Sequence, residues 1–270
     1  MFVVEQAFID RHGKRVLHVP DFVFNTGELV AVIGPNGAGK STLLQTLSGD
    51  LVPVQGRTAL NGRPLAEWNI NELAQRRAVY TQSDYLTFPF TVGEVVMLGR
   101  MPHQHETTQH DVEVVRAALR VTDTTAFTER CYTELSGGER ARVRLARALA
   151  QVWPNRRKQP HLQQYLLLDE PLAALDLHYQ VHMLEMLKAR VGPQLGVLIV
   201  MHDLGMAARY ADRVALVNEG RLVADGPPDI VLTSERLSQH YRLPMQVLRH
   251  PELDYPLIAA GSASQNPPAA

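Results

Sequence analysis

A single cysteine, Cys131, stands in 270 residues. The chain can close no disulfide on itself and has no C-x-x-C pair of the kind that binds zinc. Such usage fits a reducing compartment, and nothing beside Cys131 marks it as a nucleophile. An excess of one charge is equally absent, with 27 Lys and Arg against 28 Asp and Glu, so there is no general attraction to nucleic acid or anionic lipid. Arg140, Arg142, Arg144 and Arg147 form a local basic run against that neutral background. No apolar stretch approaches the ~20 residues that span a bilayer, so any work at a membrane leaves the spanning to other chains. Residues 1–6 lack the basic and apolar regions of a secretory signal and read as a strand. No internal repeat occurs. Hydrophobic residues still make up 45% of the chain, enough at this length for a sizeable core.

What is present is an alternation of short strands and helices. Residues 2–8, 16–19 and 21–24 are β-type runs broken by polar turns. Leu29–Ile33 is wholly apolar and ends at Gly34, as a buried parallel strand does. Residues 40–47 have helical spacing and stop at Ser48-Gly49, while 58–60 followed by Asn61-Gly62 predict a hairpin. From about 83 to 131 the character turns helical, with helices at 92–98 and 111–119 separated by Pro102 and a His-rich turn at 103–110. Alternation then resumes: strands at 165–168, 197–201 and 214–217, helices at 176–190 and Leu204–Tyr210. The pattern predicts an α/β fold with a mostly parallel sheet. Residues 155–160 read as a polar surface loop, and 261–270, small, polar and proline-bearing, as a disordered tail.

Gly34-Pro35-Asn36-Gly37-Ala38-Gly39-Lys40-Ser41-Thr42 matches G-x-x-x-x-G-K-[ST] between an apolar strand and a helix, the context that phosphate-loop motif requires. Glycines let successive N–H groups converge on an anion, and the helix from Lys40 adds its positive end. Lys40 is expected at the β- and γ-phosphates, Ser41 at Mg²⁺ and Thr42 at the α-phosphate. Nucleotide binding follows, but not the reaction. Tyr165-Leu166-Leu167-Leu168-Asp169-Glu170 is an apolar strand ending in two acids, and strands of such sheets deliver their C-terminal ends to the ligand crevice. Asp169 suits the Mg²⁺ shell through water, and Glu170 suits orienting and deprotonating an attacking water. His202 follows another apolar strand and reads either as a capped core residue or as a third polar strand end. Gln82, after 78–81, reads either as an exposed turn residue or as a fourth.

The order of phosphate loop, Gln82, Leu135-Ser136-Gly137-Gly138-Glu139, Asp169-Glu170, Ala174-Leu175-Asp176 and His202 resembles the ATP-binding subunit of an ABC transporter over nearly the whole chain. The resemblance implies a P-loop NTPase core with a mostly parallel sheet, an N-terminal antiparallel β subdomain and an inserted α-helical subdomain at about 83–145. Residues 1–245 would form the nucleotide-binding domain and 246–270 a C-terminal extension. It further implies that Ser136, Gly137, Gly138 and Glu139 bind the γ-phosphate held by an opposite subunit. A single copy of each motif then means a twofold homodimer. Asp176 would lie in the loop that communicates across that interface. His202 would hold the γ-phosphate and align water against Glu170, and Gln82 would join Ser41 and Asp169 around Mg²⁺. The implied partners are two integral membrane permease subunits and, indirectly, a periplasmic substrate-binding protein, with no nucleic acid. The implied place is peripheral, on the cytoplasmic face of a bacterial inner membrane. Where the family often carries an aromatic residue to stack on adenine, residues 9–13 offer Arg11 or His12. Leu172 stands where Thr or Ser is common, and Ala174 replaces the usual Ser.

The segments 76–82, 88–92 and 94–103, with 202–213 and the loop inserted at 152–164, resemble importers of iron complexes and cobalamin, and within that group haemin-import ATPases. Ferric siderophore or cobalamin import is the alternative, and an ATPase of iron–sulfur cluster assembly a more distant one. His103, His105 and His110 read as solvated surface and not as haem ligands, because in the family this region faces the permease. On the same resemblance, 83–105, with Phe88 and Phe90, docks a short helix from each membrane subunit.

Overall fold

Residues 1–81, 86–103, 108–153 and 161–261 are described in the computed structural model. The chain opens with two long antiparallel strands, β1 (Phe2–Arg11) and β2 (Lys14–Phe24). The sequence pattern splits β2 at Pro20. In the structure it runs through, because Gln6 on the facing strand turns to φ 44° and the ladder resumes on both sides of the proline. Next come β3 (Leu29–Ile33) and α1 (Lys40–Ser48). The hairpin of β4 (Gln55–Leu60) and β5 (Arg63–Pro64) follows. Its Asn61-Gly62 turn has φ of 51° and 80°, the doubly positive geometry that such dipeptides favour. Then come α2 (Ile70–Arg76) and β6 (Arg77–Tyr80).

The helical section holds α3 (Val92–Met97), a 3₁₀ segment at Leu98–His103, α4 (Thr108–Val121) and α5 (Gly137–Gln151). Strand–helix alternation returns with β7 (Gln164–Asp169), α6 (Leu177–Arg190), β8 (Leu195–Val200), α7 (Leu204–Tyr210) and β9 (Arg213–Asn218). The described chain closes with β10 (Arg221–Gly226), α8 (Pro228–Val231), α9 (Ser234–Tyr241) and the small antiparallel pair β11 (Met245–Leu248) and β12 (Leu257–Ala260). Residues 154–160, which include the surface loop expected at 155–160, lie outside the described residues, as do residues 262–270 of the tail expected at 261–270.

All strands but the last two join one ten-stranded sheet in the order β5-β4-β1-β2-β10-β9-β3-β8-β7-β6. From β9 to β6 the pairings are parallel, and from β5 to β2 antiparallel. The antiparallel section is thus continuous with the parallel one, stitched through β10, where Arg221 pairs with His18.

Alternation along the central strands feeds two cores. Leu29, Ala31 and Ile33 face one side with Leu166, Leu168, Val197 and Ile199, where α5, α6 and α7 cover them. Val30 and Val32 face the other with Leu167, Leu198 and Val200, against α1 and the antiparallel strands. Burying Leu43, Leu44 and Leu47 of α1 there contributes about 1.5–3 kcal/mol each, and it fixes the N-terminus of α1 over the strand ends. Helix α5 serves two masters. Ala141, Leu145 and Leu149 pack on the sheet, while Val143, Ala146 and Ala150 join α3 and α4 in a third core. The helical section therefore hangs on the sheet through α5.

The arginines of α5 do not form a basic patch. Arg140 donates to the Thr133 carbonyl, Arg142 is buried against Asp123, and Arg144 donates to the Tyr80 hydroxyl and the Thr81 carbonyl. The helical period turns them onto different neighbours, with Arg142 buried, Arg144 and Arg147 partly buried and Arg140 exposed.

Candidate functional site

The loop between β3 and α1 wraps a cavity of about 290 Å³ lined by Arg11, Val16, Asn36, Gly37, Ala38, Gly39, Lys40, Ser41, Thr42 and Glu170. Two glycines make the loop. A Cβ on Gly34 would lie 1.9 Å from the Val217 carbonyl oxygen, so only glycine lets the loop leave β3 so close to β9. Gly39 caps α1 at φ 107°, a left-handed conformation that aims the first helical N–H groups at the cavity. Lys40 is buried, and its Nζ donates to the carbonyls of Gly34 at 2.9 Å and Pro35 at 3.0 Å. Burial pushes its pKa down, opposed by the nearby charges of Glu170 and Asp169. Arg11 reaches the same cavity from the end of β1, its guanidinium held by the side-chain carbonyl of Gln45 on α1.

The parallel pairing of β7 with β8 brings three of the strand-end candidates together. The Ser41 hydroxyl donates to Asp169 Oδ1 at 3.0 Å. Burial raises the Asp169 pKa and the neighbouring Glu170 adds to it, while the Ser41 hydrogen bond, Lys40 and His202 work against the rise. Glu170, the next residue, takes φ 51°, a strained conformation for a residue with a Cβ. That kink turns its carboxylate back toward His202, and Glu170 Oε1 lies 2.6 Å from His202 Nε2. The His202 side chain is 47% exposed, so it is not a core histidine. Asp203 beside it takes the capping role instead, accepting the Met206 N–H at 2.8 Å.

Ser136 through Glu139 and Asp176 stand elsewhere in the protomer, and none lines the phosphate-loop cavity. Ser136 and Glu139 form a capping box at the start of α5, a use that the sequence pattern S-x-x-E also signals. Ser136 Oγ accepts the Glu139 N–H at 3.3 Å, and Glu139 Oε2 accepts the Ser136 N–H at 2.8 Å. These hydrogen bonds hold the Glu139 carboxyl below the usual carboxylate range. Gly138 packs against the loop before α6, since a Cβ there would meet the Ala174 carbonyl oxygen at 3.1 Å. Asp176 caps α6 by accepting the Tyr179 N–H at 3.1 Å.

Gln82 lies outside the described residues, as does His105. His103, expected on the solvated surface, is buried, with Nε2 2.8 Å from the Gln151 carbonyl oxygen. The 3₁₀ segment that carries it lies flat on the end of α5, close enough that a Cβ on Gly99 would sit 2.3 Å from the Arg147 carbonyl oxygen. His110 stays half-buried, with Nδ1 4.0 Å from Glu113 Oε2. Phe88 is exposed, and its ring centroid lies 6.2 Å from that of Phe90.

The family described as ABC transporter matches residues 17–173. The hemin import ATP-binding protein HmuV of Nocardia farcinica is 46% identical over 250 residues, covering 92% of this chain and 83% of that protein. HmuV of Pseudomonas fluorescens is 46% identical over 260 residues, covering 96% of this chain and 100% of that protein. Among solved structures, a metal-chelate type ABC transporter in an inward-facing conformation superposes with a TM-score of 0.76 at 27% identity, over 97% of this chain and 98% of that one.

Proposed function

The chain belongs to the ABC transporter family, and from that premise we propose that it is the ATP-hydrolysing subunit of a haemin importer. The hydrolysis reading rests on one observation: the Glu170–His202 contact of 2.6 Å at the rim of the phosphate-loop cavity. The cargo reading rests on relatives named for hemin import that match nearly the full chain at 46% identity.

The residues divide the work. Backbone N–H groups of residues 34–42 and the N-terminus of α1 receive the phosphates of ATP. Lys40 exchanges its two carbonyl partners for β- and γ-phosphate oxygens, and Thr42 turns to the α-phosphate. Ser41 Oγ and Asp169 Oδ1, 3.0 Å apart, are oxygen donors that suit Mg²⁺, with Gln82 as the third contact. When bound there, Mg²⁺ offsets the negative charge of the β- and γ-phosphates. Glu170 orients the attacking water and takes its proton, and His202 steadies the carboxylate and faces the γ-phosphate. Arg11, which lines the cavity, is the flat cation offered to the base.

The active site takes its second half from another copy of the chain. Ser136, Gly137 and Gly138 present a helix N-terminus that suits the γ-phosphate of the facing protomer, with Glu139 fixing its shape and Asp176 beside it. Two ATP molecules then close a symmetric pair, and closure biases the permease between its two orientations. The pair sits on the cytoplasmic face of the membrane, bound to two permease subunits that a substrate-binding protein supplies. No helix among the described residues is long and apolar enough to cross a membrane.

Growth of a strain lacking this chain on haemin as sole iron source tests the cargo. Loss on haemin with normal use of ferric siderophore and cobalamin supports the reading. Loss on siderophore or cobalamin with growth on haemin intact replaces it.

A further inference from the structure

Asp176 and the 136–138 turn, which the proposed function sends to the same partner, are joined inside one protomer by a contact that neither motif contains. Arg142 projects from α5 six residues past the Ser136 cap, and its side chain is only 8% exposed. Its Nη1 donates to the Asp123 carbonyl oxygen at 2.6 Å and to Asp123 Oδ2 at 3.2 Å. Its Cζ lies 4.0 Å from the ring centroid of Tyr179 and 5.4 Å from that of Phe127. Tyr179 belongs to the first turn of α6. Its backbone N–H is the group that Asp176 caps, and its hydroxyl lies 3.5 Å from Asp123 Oδ2. Gln180, the next residue, donates to the carbonyls of Leu172 and Leu175 and so fixes the loop that leads to Asp176.

We propose that Arg142 and Tyr179 are positioning residues that clamp the start of α5 to the start of α6, so that both partner-facing elements approach the second copy in one fixed register. The chemistry favours such a role. A guanidinium out of water, held by Asp123 on its edge and by aromatic rings on its faces, has little freedom to swing. The direct approach at Gly138, where a Cβ would meet the Ala174 carbonyl oxygen at 3.1 Å and Leu175 Cδ2 at 3.7 Å, brings α5 against the loop before α6 but involves no polar side chain. The clamp adds a second, side-chain tie between the two helices. Neither side chain lines the phosphate-loop cavity, so the clamp acts on assembly and not on ATP capture by the single protomer.

The inference rests on the reading that ATP closes two copies of this chain. It is tested with the full-length protein carrying Glu170→Gln, whose ATP-driven dimerisation is followed by analytical ultracentrifugation while MgATP affinity is measured with a fluorescent analogue. Adding Tyr179→Leu is expected to weaken ATP-driven dimerisation about tenfold, the factor a desolvated cation–π contact supports. MgATP affinity should stay within about twofold of the parent. Tyr179→Phe, which keeps the aromatic face, should dimerise like the parent, and Arg142→Lys, which keeps the charge but not the flat face, should fall between. Dimerisation of the Tyr179→Leu protein equal to the parent overturns the clamp and leaves the dimer reading standing. So does an equal loss of dimerisation and MgATP affinity. A Glu170→Gln parent that does not dimerise with ATP overturns both.

Discussion

His202 Nε2 and Glu170 Oε1 lie 2.6 Å apart across the ends of two neighbouring parallel strands, and the contact exists because Glu170 adopts φ 51°. A residue in the ordinary β region would carry its carboxylate on along the strand. Strain at that residue is the cost of aiming it, and the packing of β7 between β6 and β8 holds it in place.

Glu170→Gln and His202→Ala are expected to lower ATP hydrolysis by about 10²–10⁴-fold, the range of a general base and its support. The double substitution should cost little more than Glu170→Gln alone, since the two act as a unit. Phosphate release by the purified full-length protein gives the rates. Lys40→Ala should behave differently, weakening MgATP binding roughly 10- to 100-fold through lost charged hydrogen bonds. Rapid turnover by Glu170→Gln would remove Glu170 from the catalytic role.

Asp169 gives a pH signature in the nucleotide-free protein. Burial raises its pKa above that of the unfolded chain, so the folded state holds the proton more tightly. Stability therefore falls as the pH rises from the ordinary carboxylate range to the folded-state value, and the deficit persists above it. Asp169→Asn should raise the melting temperature at neutral pH, and the gain should shrink as the pH falls toward the ordinary carboxylate range. Thermal scans of both proteins across pH check this. A gain that grows on acidification contradicts the assigned sign.

Arg11 is pinned by Gln45 at the cavity edge. Arg11→Ala is expected to weaken ATP binding by roughly 3- to 10-fold, in line with a partly exposed cation–π contact, whereas His12→Ala should change it little. Because a guanidinium stacks on any base, GTP binding should fall by a similar factor for Arg11→Ala. Titration with both nucleotides separates this from an adenine-selective pocket, which would lose ATP alone.

Much of this site could be read directly from the sequence. The phosphate loop is contiguous and carries its own context, an apolar strand before and a helix after. Asp169 and Glu170 end an unbroken apolar run. What stayed hidden depends on segments far apart in the chain. Arg142 looks like one member of a solvated basic run until α6 brings Tyr179 over it. His103 looks exposed by composition, yet the end of α5 covers it. Pro20 appears to break a strand because the compensating turn at Gln6 belongs to another one. Periodicity reports which face of an element is buried, not which neighbour buries it.

Phe88, 68% exposed beside Phe90, is the residue we propose meets a permease helix. Phe88→Ala should leave ATP binding by the isolated subunit unchanged while lowering transport at least severalfold, as loss of an aromatic anchor does. Equal loss of binding and transport would place Phe88 in the nucleotide site instead.

On the proposed function, two copies of this chain hydrolyse ATP to move haemin inward. Proteoliposomes containing the chain with its permease and substrate-binding protein measure that directly, as haemin accumulation against time with ATP on the side of this subunit. ATP-dependent accumulation of haemin that Glu170→Gln abolishes is expected, with no accumulation of ferric siderophore or cobalamin. Haemin movement that proceeds equally without ATP, or that survives Glu170→Gln, would contradict it.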